Sequence, residues 1–541
     1  MNLRSHELPR FGSDDRSPRC ILHVGGIAGP RGASLALGLA AVFAASSPAS
    51  AQWLDAQRPR GGEILIGLTG TNGTVDHRFQ PDGSTRPLAD VLSLEVGSDL
   101  FPGLDTLQAR LPGLFAPFSV TAPESSTLGV LKFDVLLERT SAPLTLAFGL
   151  TDWLAVFGVA PIVKAESYSQ SFIAEATASA APVGSAFGGD AAALLNGLAD
   201  GIGELQALRD GGTLSPERQE LAQSLLTDAR AMESGLSGLA ELQFVPSNSS
   251  AAGQQITAAY ESIRSGFAEF EVVLPGLSLG EPDADFAAAA ITESGFGILS
   301  PHRRTTGIKL GDVEAGLSLQ PFDSFRRKTA GGGPWLPLRL RLDALWRFPT
   351  GSEPVPRRLT DLGTGDGQAD LEFRSTMDVG FGNRLWLSLF GGYTIQFDAE
   401  LERLLTNPEA PIQIGALVST VSWDPGDVLR LAVLPRVNLT RVITFSGIFM
   451  LVHHQRDVIT ATDSQAEPFS PVNLEEGTEF TAHTLGFAAR YSSTDWHGAR
   501  RAGLPVEVEL RYTRTVNARD GFVPQRNTWE LGLRYYQSIF R

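Results

Sequence analysis

Charged side chains recur at every second position in several segments of this chain, a spacing suited to ion pairing or to lining a polar passage. The stretch from Trp335 to Phe348 is the clearest case, and residues 367–381 and 503–515 repeat the pattern. Alternate side chains of an extended strand point to the same side, so each charged set shares one face. The eleven candidate lumen-lining residues are Arg339, Arg341, Asp343, Arg347, Asp370, Glu372, Arg374, Asp378, Glu507, Glu509 and Arg511.

The chemistry that these residues could supply is electrostatic. Opposite charges on neighbouring strands can pair, which would fill an enclosed space with a structural salt-bridge network. The same groups could instead line a polar permeation path with a charged constriction. The sequence leaves both interpretations open.

The opposite face of the same segments is apolar. In the stretch that ends at Phe348, Leu336, Leu338, Leu340 and Leu342 alternate with the charged residues. In a soluble sheet such a face would need a second layer to cover it. An apolar face backed by a charged one is instead typical of a strand between lipid and a lumen. The pattern predicts an all-β fold, an antiparallel up-and-down transmembrane β-barrel.

The number of strands follows from the lengths of the connections. The amphipathic segments are 62–70, 128–150, 153–166, 306–320, 335–348, 367–381, 384–397, 410–423, 427–438, 442–454, 479–492, 503–515 and 526–540. A bacterial single-chain barrel has an even number of strands, with short turns at one end and long loops at the other. Turns and loops alternate correctly only if 410–423 does not cross the membrane. We therefore expect about twelve strands, with 410–423 in an outer loop and both termini in the periplasm.

One long insertion departs from the two-residue period. Between residues 167 and 305, apolar residues recur at helical spacing in three stretches, and acids outnumber Lys and Arg by 17 to 6. Ser215 followed by Pro216 and Glu217 is typical of a helix start. We expect an acidic helical insertion, extracellular or at the barrel mouth. Its stripes could merely pack together, or the insertion could form a gate or ligand-capturing cap.

The N-terminal residues resemble an export signal. An apolar stretch near Leu35 precedes a small-residue cleavage site, Ala49-Ser50-Ala51. The only cysteine, Cys20, precedes that site, so the mature chain would have no disulfide or thiolate metal site. The formal charge of −16 argues against nucleic acid as a partner. The predicted divisions are a signal peptide at 1–51, strands 1–3 with the first outer loop at 52–166, the insertion at 167–305, and strands 4–12 at 306–541.

Several turn motifs resemble those of one family of outer-membrane barrels. They are Leu-Thr-Leu-Ala-Phe-Gly-Leu-Thr-Asp-Trp at 144–153, Gly-Thr-Gly-Asp-Gly-Gln-Ala-Asp-Leu at 363–371, Phe-Gly-Asn-Arg-Leu-Trp at 381–386 and Pro-Gly-Asp-Val at 425–428. Arg78-Phe79 with Arg86-Pro87-Leu88 also fits. Over about 62–166 and 306–540, the chain is similar to the "MetA-pathway of phenol degradation" family of transporter barrels. The resemblance implies a barrel that passes small, often hydrophobic compounds. The helical insertion and the Arg541 that follows Phe540 depart from the family pattern.

Two functional hypotheses follow. The first is a channel or transporter in the bacterial outer membrane for small solutes, hydrophobic or aromatic ones among them. The second is a structural or ligand-binding surface barrel, plugged, that displays the helical module. The expected partners are outer-membrane lipid, lipopolysaccharide, the barrel-assembly machinery and a small-molecule solute. We expect no enzyme, because the His-x-Ser-Asn-Gly signature of barrel lipid hydrolases is not in the sequence. No cofactor or metal is expected, since the adjacent His453 and His454 would point to opposite faces of a strand.

Overall fold

A closed antiparallel barrel of twelve strands forms the body of the protein in a computed structural model. The structure describes residues 56–90, 93–174, 178–183, 191–291, 302–324, 336–356, 358, 361–382, 384–405, 417–462, 474–493 and 504–539. The predicted signal peptide at 1–51 lies outside these residues. Each strand pairs with its neighbours along the chain, and the last pairs with the first from Glu63 opposite Ser538 to Thr74 opposite Asn527. The predicted fold class is confirmed.

The barrel strands are numbered β1 to β12 in chain order. They are Glu63–Val75, Val130–Gly149, Leu154–Ala174, Val313–Asp323, Leu338–Phe348, Asp370–Phe381, Leu385–Gln396, Val428–Asn438, Ile443–His454, Phe480–Ser492, Val506–Arg519 and Asn527–Ser538. Brief turns such as 150–153 and 439–442 join strands at one end, which we call the short-turn end. The long connections meet at the other, which we call the long-loop end.

Apolar side chains cover the outside of the barrel. Leu317 on β4, Phe373 on β6, Phe449 on β9 and Leu531 on β12 are each about half exposed. On β4, β6 and β12 the alternate residues are mostly buried, and most of them are polar or charged. An exposed apolar belt without a covering layer is stable only against lipid. The barrel therefore spans a membrane.

The predicted demotion of segment 410–423 is confirmed for its described part. Residues Leu417–Asp424 form a strand outside the barrel, between Ala399–Leu405 and Val458–Ala461. This three-stranded sheet has its own small core around Val421 and Trp423. The chain leaves the barrel after β7 and returns at β8, which pairs directly with β7.

Strands β2 and β3 extend well beyond the membrane. They have 20 and 21 residues, whereas about 9–11 residues of tilted strand suffice to cross a bilayer. The sequence predicted the end of β3 at residue 166, but pairing continues to Ala174, and the short strand His302–Thr305 pairs beside it. Serines at 167, 169 and 171 occupy the buried face of this extension. Because these buried residues are polar, the extension lacks the alternation of apolar and polar residues that identifies the other strands.

In the described ranges, five helices lie over the long-loop end and form what we call the helical module. They are α1 Gly103–Leu114, α2 Ala191–Asp210, α3 Pro216–Ala240, α4 Ala251–Ala268 and α5 Ala284–Ile291. The predicted cap is confirmed, because the side chain of Ser215 accepts a hydrogen bond from the Arg218 amide. The first helix, α1, falls in a region that the sequence assigned to a loop.

The helical module shares one hydrophobic core with the extended strands. Leu226 of α3 and Ile256 of α4 belong to the same buried cluster as Leu131 and Phe133 of β2. Tyr260 anchors α4 by donating a hydrogen bond of 2.7 Å to the Pro275 carbonyl, and burial raises the pKa of its hydroxyl to about 12. The module is thus packed onto the inner face of the extension and covers the long-loop end.

The position of the membrane belt predicts a difference between two leucines of β2. Leu144 is 40% exposed within the belt, and Leu136 is 41% exposed on the extension, roughly 26 Å away at 3.3 Å per residue. We expect Leu144→Arg to lower the free energy of unfolding by about 2–4 kcal/mol, because a charge then faces lipid near the middle of the bilayer. Leu136→Arg should cost less than about 1 kcal/mol. Urea unfolding in lipid vesicles measures both, and equal costs would contradict this placement of the belt.

Candidate functional site

A ladder of ion pairs runs across the inner face of β4 to β8. Arg347 contacts Glu314 at 3.3 Å and also Asp370, while Arg374 binds Glu372 at 2.6 Å. These side chains are almost fully buried. Opposite charges therefore pair both within a strand and between neighbouring strands.

Arg430 extends this ladder across an intervening strand. It lies on β8 yet binds Glu372 of β6 at 2.8 Å, passing over β7. Gly392 of β7 lies directly opposite Arg430 in the register, and a Cβ there would lie 3.2 Å from the Glu372 Oε1. A glycine at this point leaves room for the pair.

A second group of ion pairs lies on β10 to β12. Arg490 and Arg534 both contact Glu507, at 2.8 and 3.4 Å. Arg511 binds Glu509 at 2.5 Å and Glu530 at 3.2 Å. The lumen thus has two charged sectors, separated by β9 on one side and by β1 to β3 on the other.

The eleven candidate residues all lie on the face opposite the apolar belt. Nine are buried, and Arg341 and Glu509 are slightly more exposed. Ten have an ion-pair partner, whereas Asp378 accepts hydrogen bonds from the Ser388 hydroxyl and the Ala56 amide. Sequence reasoning missed several partners in the ladders, among them Glu314, Arg430, Arg490, Glu530 and Arg534. These five lie in segments already predicted as strands, and alternation alone could have placed them on the inner face.

The chain ahead of β1 crosses the lumen at its short-turn end. We call residues 56–60 the N-terminal segment. The Ala56 amide donates to Asp378 at 3.0 Å, and its carbonyl accepts from Gln320 at 3.2 Å. The Gln57 carbonyl accepts from Arg341 at 3.2 Å. Since Ala56 is fully buried, this segment obstructs the lumen.

A glycine permits the N-terminal segment to enter. Gly149 ends β2, and a Cβ there would lie 1.8 Å from the Arg60 carbonyl oxygen. Backbone atoms cannot move aside as a flexible side chain can, so any larger residue would displace the segment. Arg58 then bonds the Thr151 carbonyl at 3.4 Å in the adjoining turn.

The inner face of β1 to β3 differs from the charged sectors. In the membrane belt its residues are small or apolar, among them Leu65, Ala147, Ala155, Phe157 and Val159. No formal charge occurs at the inward positions of 65–71, 141–147 and 155–161. The sequence held a signal for this surface, because residues 154–163 lack charged residues on both faces.

These surfaces enclose a space that we call the lumen chamber. Its apolar wall is the inner face of β1 to β3, its charged wall includes Arg341, Asp343 and Arg374, and residues 57–59 of the N-terminal segment form its floor. The empty space amounts to about 800 Å³, including the part open to solvent. Three of the eleven candidates thus line the chamber, while the other eight lie in the ladders or against the N-terminal segment.

No group of three or more His, Cys, Asp or Glu side chains within the described ranges is arranged to hold a metal ion. Of the helices in the part of the chain that the structure describes, none is long and apolar enough to cross a membrane. His453 and His454 instead bond Thr481 and the Thr478 carbonyl, respectively.

The closed antiparallel sheet and its exposed apolar belt define a broad class, the transmembrane β-barrels. The chain is similar to an outer-membrane channel from Pseudomonas putida F1, with a TM-score of 0.38 and 9% identity over 89% of this chain and 97% of that one. It is similar to a FadL homologue from Pseudomonas aeruginosa, with a TM-score of 0.26 and 9% identity over 95% and 100% of the two chains. For the CymD monoaromatic hydrocarbon channel the TM-score is 0.26, with 9% identity over 94% and 98%. Similarities this low carry no argument about function.

The sequence comparisons give no closer assignment. No family model matches the chain, and no curated protein matches it. The residues of the lumen therefore provide the basis for a functional proposal.

Proposed function

We propose that this protein is a channel of the bacterial outer membrane for small solutes, hydrophobic or aromatic ones among them. The observation that carries the proposal is the lumen chamber, a space of about 800 Å³ including its part open to solvent, apolar on one wall and charged on the other. A barrel with a purely structural interior would have its lumen filled by side chains. Here the ion pairs occupy the charged sectors and leave space beside β1 to β3.

The arrangement of the connections supports an outer-membrane location. Closed antiparallel barrels with short turns at one end and long loops at the other are the transmembrane type of the bacterial outer membrane. In that orientation the N-terminal segment and the short turns face the periplasm, and the helical module covers the outer mouth. Lipid and lipopolysaccharide would surround the belt, the barrel-assembly machinery would insert the chain, and residues 1–51 would direct its export.

The packing of the helical module favours a role as a cover for the channel over a role as a displayed binding domain. Its hydrophobic core is continuous with buried residues on the inner face of the extension, such as Leu131 and Leu137 of β2. A displayed module would need only a tether to the barrel. We also propose that the chain belongs to the transporter family that its turn motifs resemble, and that it has no enzymatic activity.

Two tryptophan substitutions at adjacent residues of β2 test the channel proposal. Ala147 lines the lumen chamber, and Leu146 is exposed on the outer face. Ala147→Trp should reduce both single-channel conductance in planar bilayers and uptake of a labelled small aromatic solute by intact cells, because the indole fills the chamber. Leu146→Trp should leave both unchanged, since its ring enters lipid. A wild-type protein that gives no conductance and no uptake above a vector control would contradict the channel proposal. Equal behaviour of the two variants would contradict it as well.

A further inference from the structure

The lumen chamber carries a local excess of positive charge. Its lining includes four arginines, at 58, 341, 374 and 534, but only two acids, Glu314 and Asp343. The whole chain has the opposite balance, with 60 acids against 44 basic residues. In an enclosed space with low-dielectric walls, such an excess attracts anions and repels cations.

Arg374 is held in place and keeps one donor without a partner. Arg374 is 3% exposed and bonds Glu372 through Nη2, while its buried Nε has no hydrogen-bond partner. Its partner Glu372 does not line the chamber. Leaving a buried donor unsatisfied is unfavourable, and a carboxylate is the acceptor that guanidinium groups bind most strongly.

An aromatic ring lies at the boundary between the two walls. Phe157 of β3 is directly opposite Gly316 of β4, and a Cβ at that glycine would lie 2.7 Å from the Phe157 Cζ. The ring therefore extends over the glycine towards the side of the chamber where Glu314 and Ser318 lie. A flat apolar group placed against Phe157 would be next to the arginines.

We propose that the lumen chamber binds small carboxylates with an apolar or aromatic body, the carboxylate towards Arg341, Arg374 and Arg534 and the body against the apolar wall. This inference rests on the proposed channel function and specifies its solute. A neutral hydrocarbon would offer no acceptor to Arg374, and an inorganic anion would leave the apolar wall in contact with water. An organic cation would meet charge of its own sign.

Three probes of nearly the same shape separate these contributions. Benzoate, benzamide and benzylamine each carry one aromatic ring, with a negative, neutral or positive polar group at neutral pH. We expect calorimetric titration of the detergent-solubilised full chain to give about tenfold tighter binding for benzoate than for benzamide, because a charge-assisted hydrogen bond is worth at least that factor. Benzylamine should bind more weakly than benzamide.

Substitutions on β5 test the role of the arginines. Arg341 lines the lumen chamber, whereas Arg339, two residues earlier on the same inner face, pairs with Asp323 at 3.4 Å and does not line it. Arg341→Gln should reduce the ratio of benzoate to benzamide affinity about tenfold, and Arg341→Lys should restore part of it. Arg339→Gln should preserve the ratio. The ratio of the two affinities is measured because Arg341 also binds the N-terminal segment. A movement of that segment would change the affinity for benzoate and for benzamide alike and would leave their ratio unchanged.

Phe157→Ala provides an independent test of the apolar wall. It should weaken benzoate and benzamide severalfold and equally, which leaves their ratio unchanged. Equal binding of benzoate and benzamide to the wild-type protein, or a ratio that Arg341→Gln and Arg534→Gln leave intact, would overturn the carboxylate assignment. That result would leave the channel proposal intact as long as the protein conducts ions in bilayers. A protein that shows no conductance would instead contradict the channel proposal itself.

Discussion

Removing residues 56–60 should raise the ion conductance of the reconstituted barrel severalfold. The N-terminal segment crosses the lumen at the short-turn end and is bound by side chains from β4, β5 and β6. A twelve-stranded barrel has a lumen of modest width, so a single extended segment obstructs much of its cross-section. Strand β1 begins at Glu63, beyond the deletion, and its pairing with β2 and β12 should therefore persist.

A point substitution should give a smaller change of the same sign. Asp378→Asn weakens the hydrogen bond that holds the Ala56 amide at 3.0 Å, so the segment should leave the lumen more often and brief openings should become more frequent. Glu509→Gln is the matched control, because this inward-facing acid binds Arg511 and the Arg511–Glu530 pair remains after the substitution. Single-channel recording in planar bilayers measures all three variants. If the deletion leaves the conductance at the wild-type level, the segment is not what closes the short-turn end.

The barrel was predictable because its signals are local. Alternation with a period of two identifies each strand, and the lengths of turns and loops decide which segment lies outside the membrane. Together they gave twelve strands and removed 410–423 from the barrel. The helix α1 also had a local signal in Leu104, Leu107 and Leu111, but Pro112 and the surrounding loop composition obscured it.

The lumen chamber was less predictable because two of its three surfaces depend on long-range contacts. Residues 56–60 show no periodicity, and their position follows only from partners such as Asp378, more than 300 residues away. Three charged residues of the chamber, Arg341, Asp343 and Arg374, were among the candidates, whereas Glu314 and Arg534 were not, and the pairing was not predicted. Arg430 reaches Glu372 because Gly392 of β7 leaves room for its side chain, a relation that strand registers reveal and composition does not.

Glu372→Gln should lower the free energy of unfolding by about 3–5 kcal/mol, since removing one partner of a buried ion pair leaves the other charge uncompensated. Glu372 is fully buried between Arg374 at 2.6 Å and Arg430 at 2.8 Å, so two guanidinium groups would lose their carboxylate. Glu509→Gln should cost about 1 kcal/mol or less, because this acid is partly exposed and Arg511 retains Glu530. Urea unfolding of both variants in lipid vesicles measures the difference.

A triple substitution tests whether the stability of the fold requires the buried charges around Glu372 or only requires that no buried charge is left without a partner. Replacing Glu372 by Leu together with Arg374→Met and Arg430→Met removes the charges as a set, and similar exchanges of buried ion pairs for apolar residues are often neutral or stabilising by about 1–4 kcal/mol. The triple variant should therefore be more stable than Glu372→Gln although it differs more from the wild type. If the triple variant is less stable than Glu372→Gln, the charges of the ladder themselves stabilise the fold, and the cost of Glu372→Gln does not come from leaving two arginines without a carboxylate. Since Arg374 lines the lumen chamber, the triple variant should also show a smaller preference for benzoate, while Arg341 and Arg534 retain the rest.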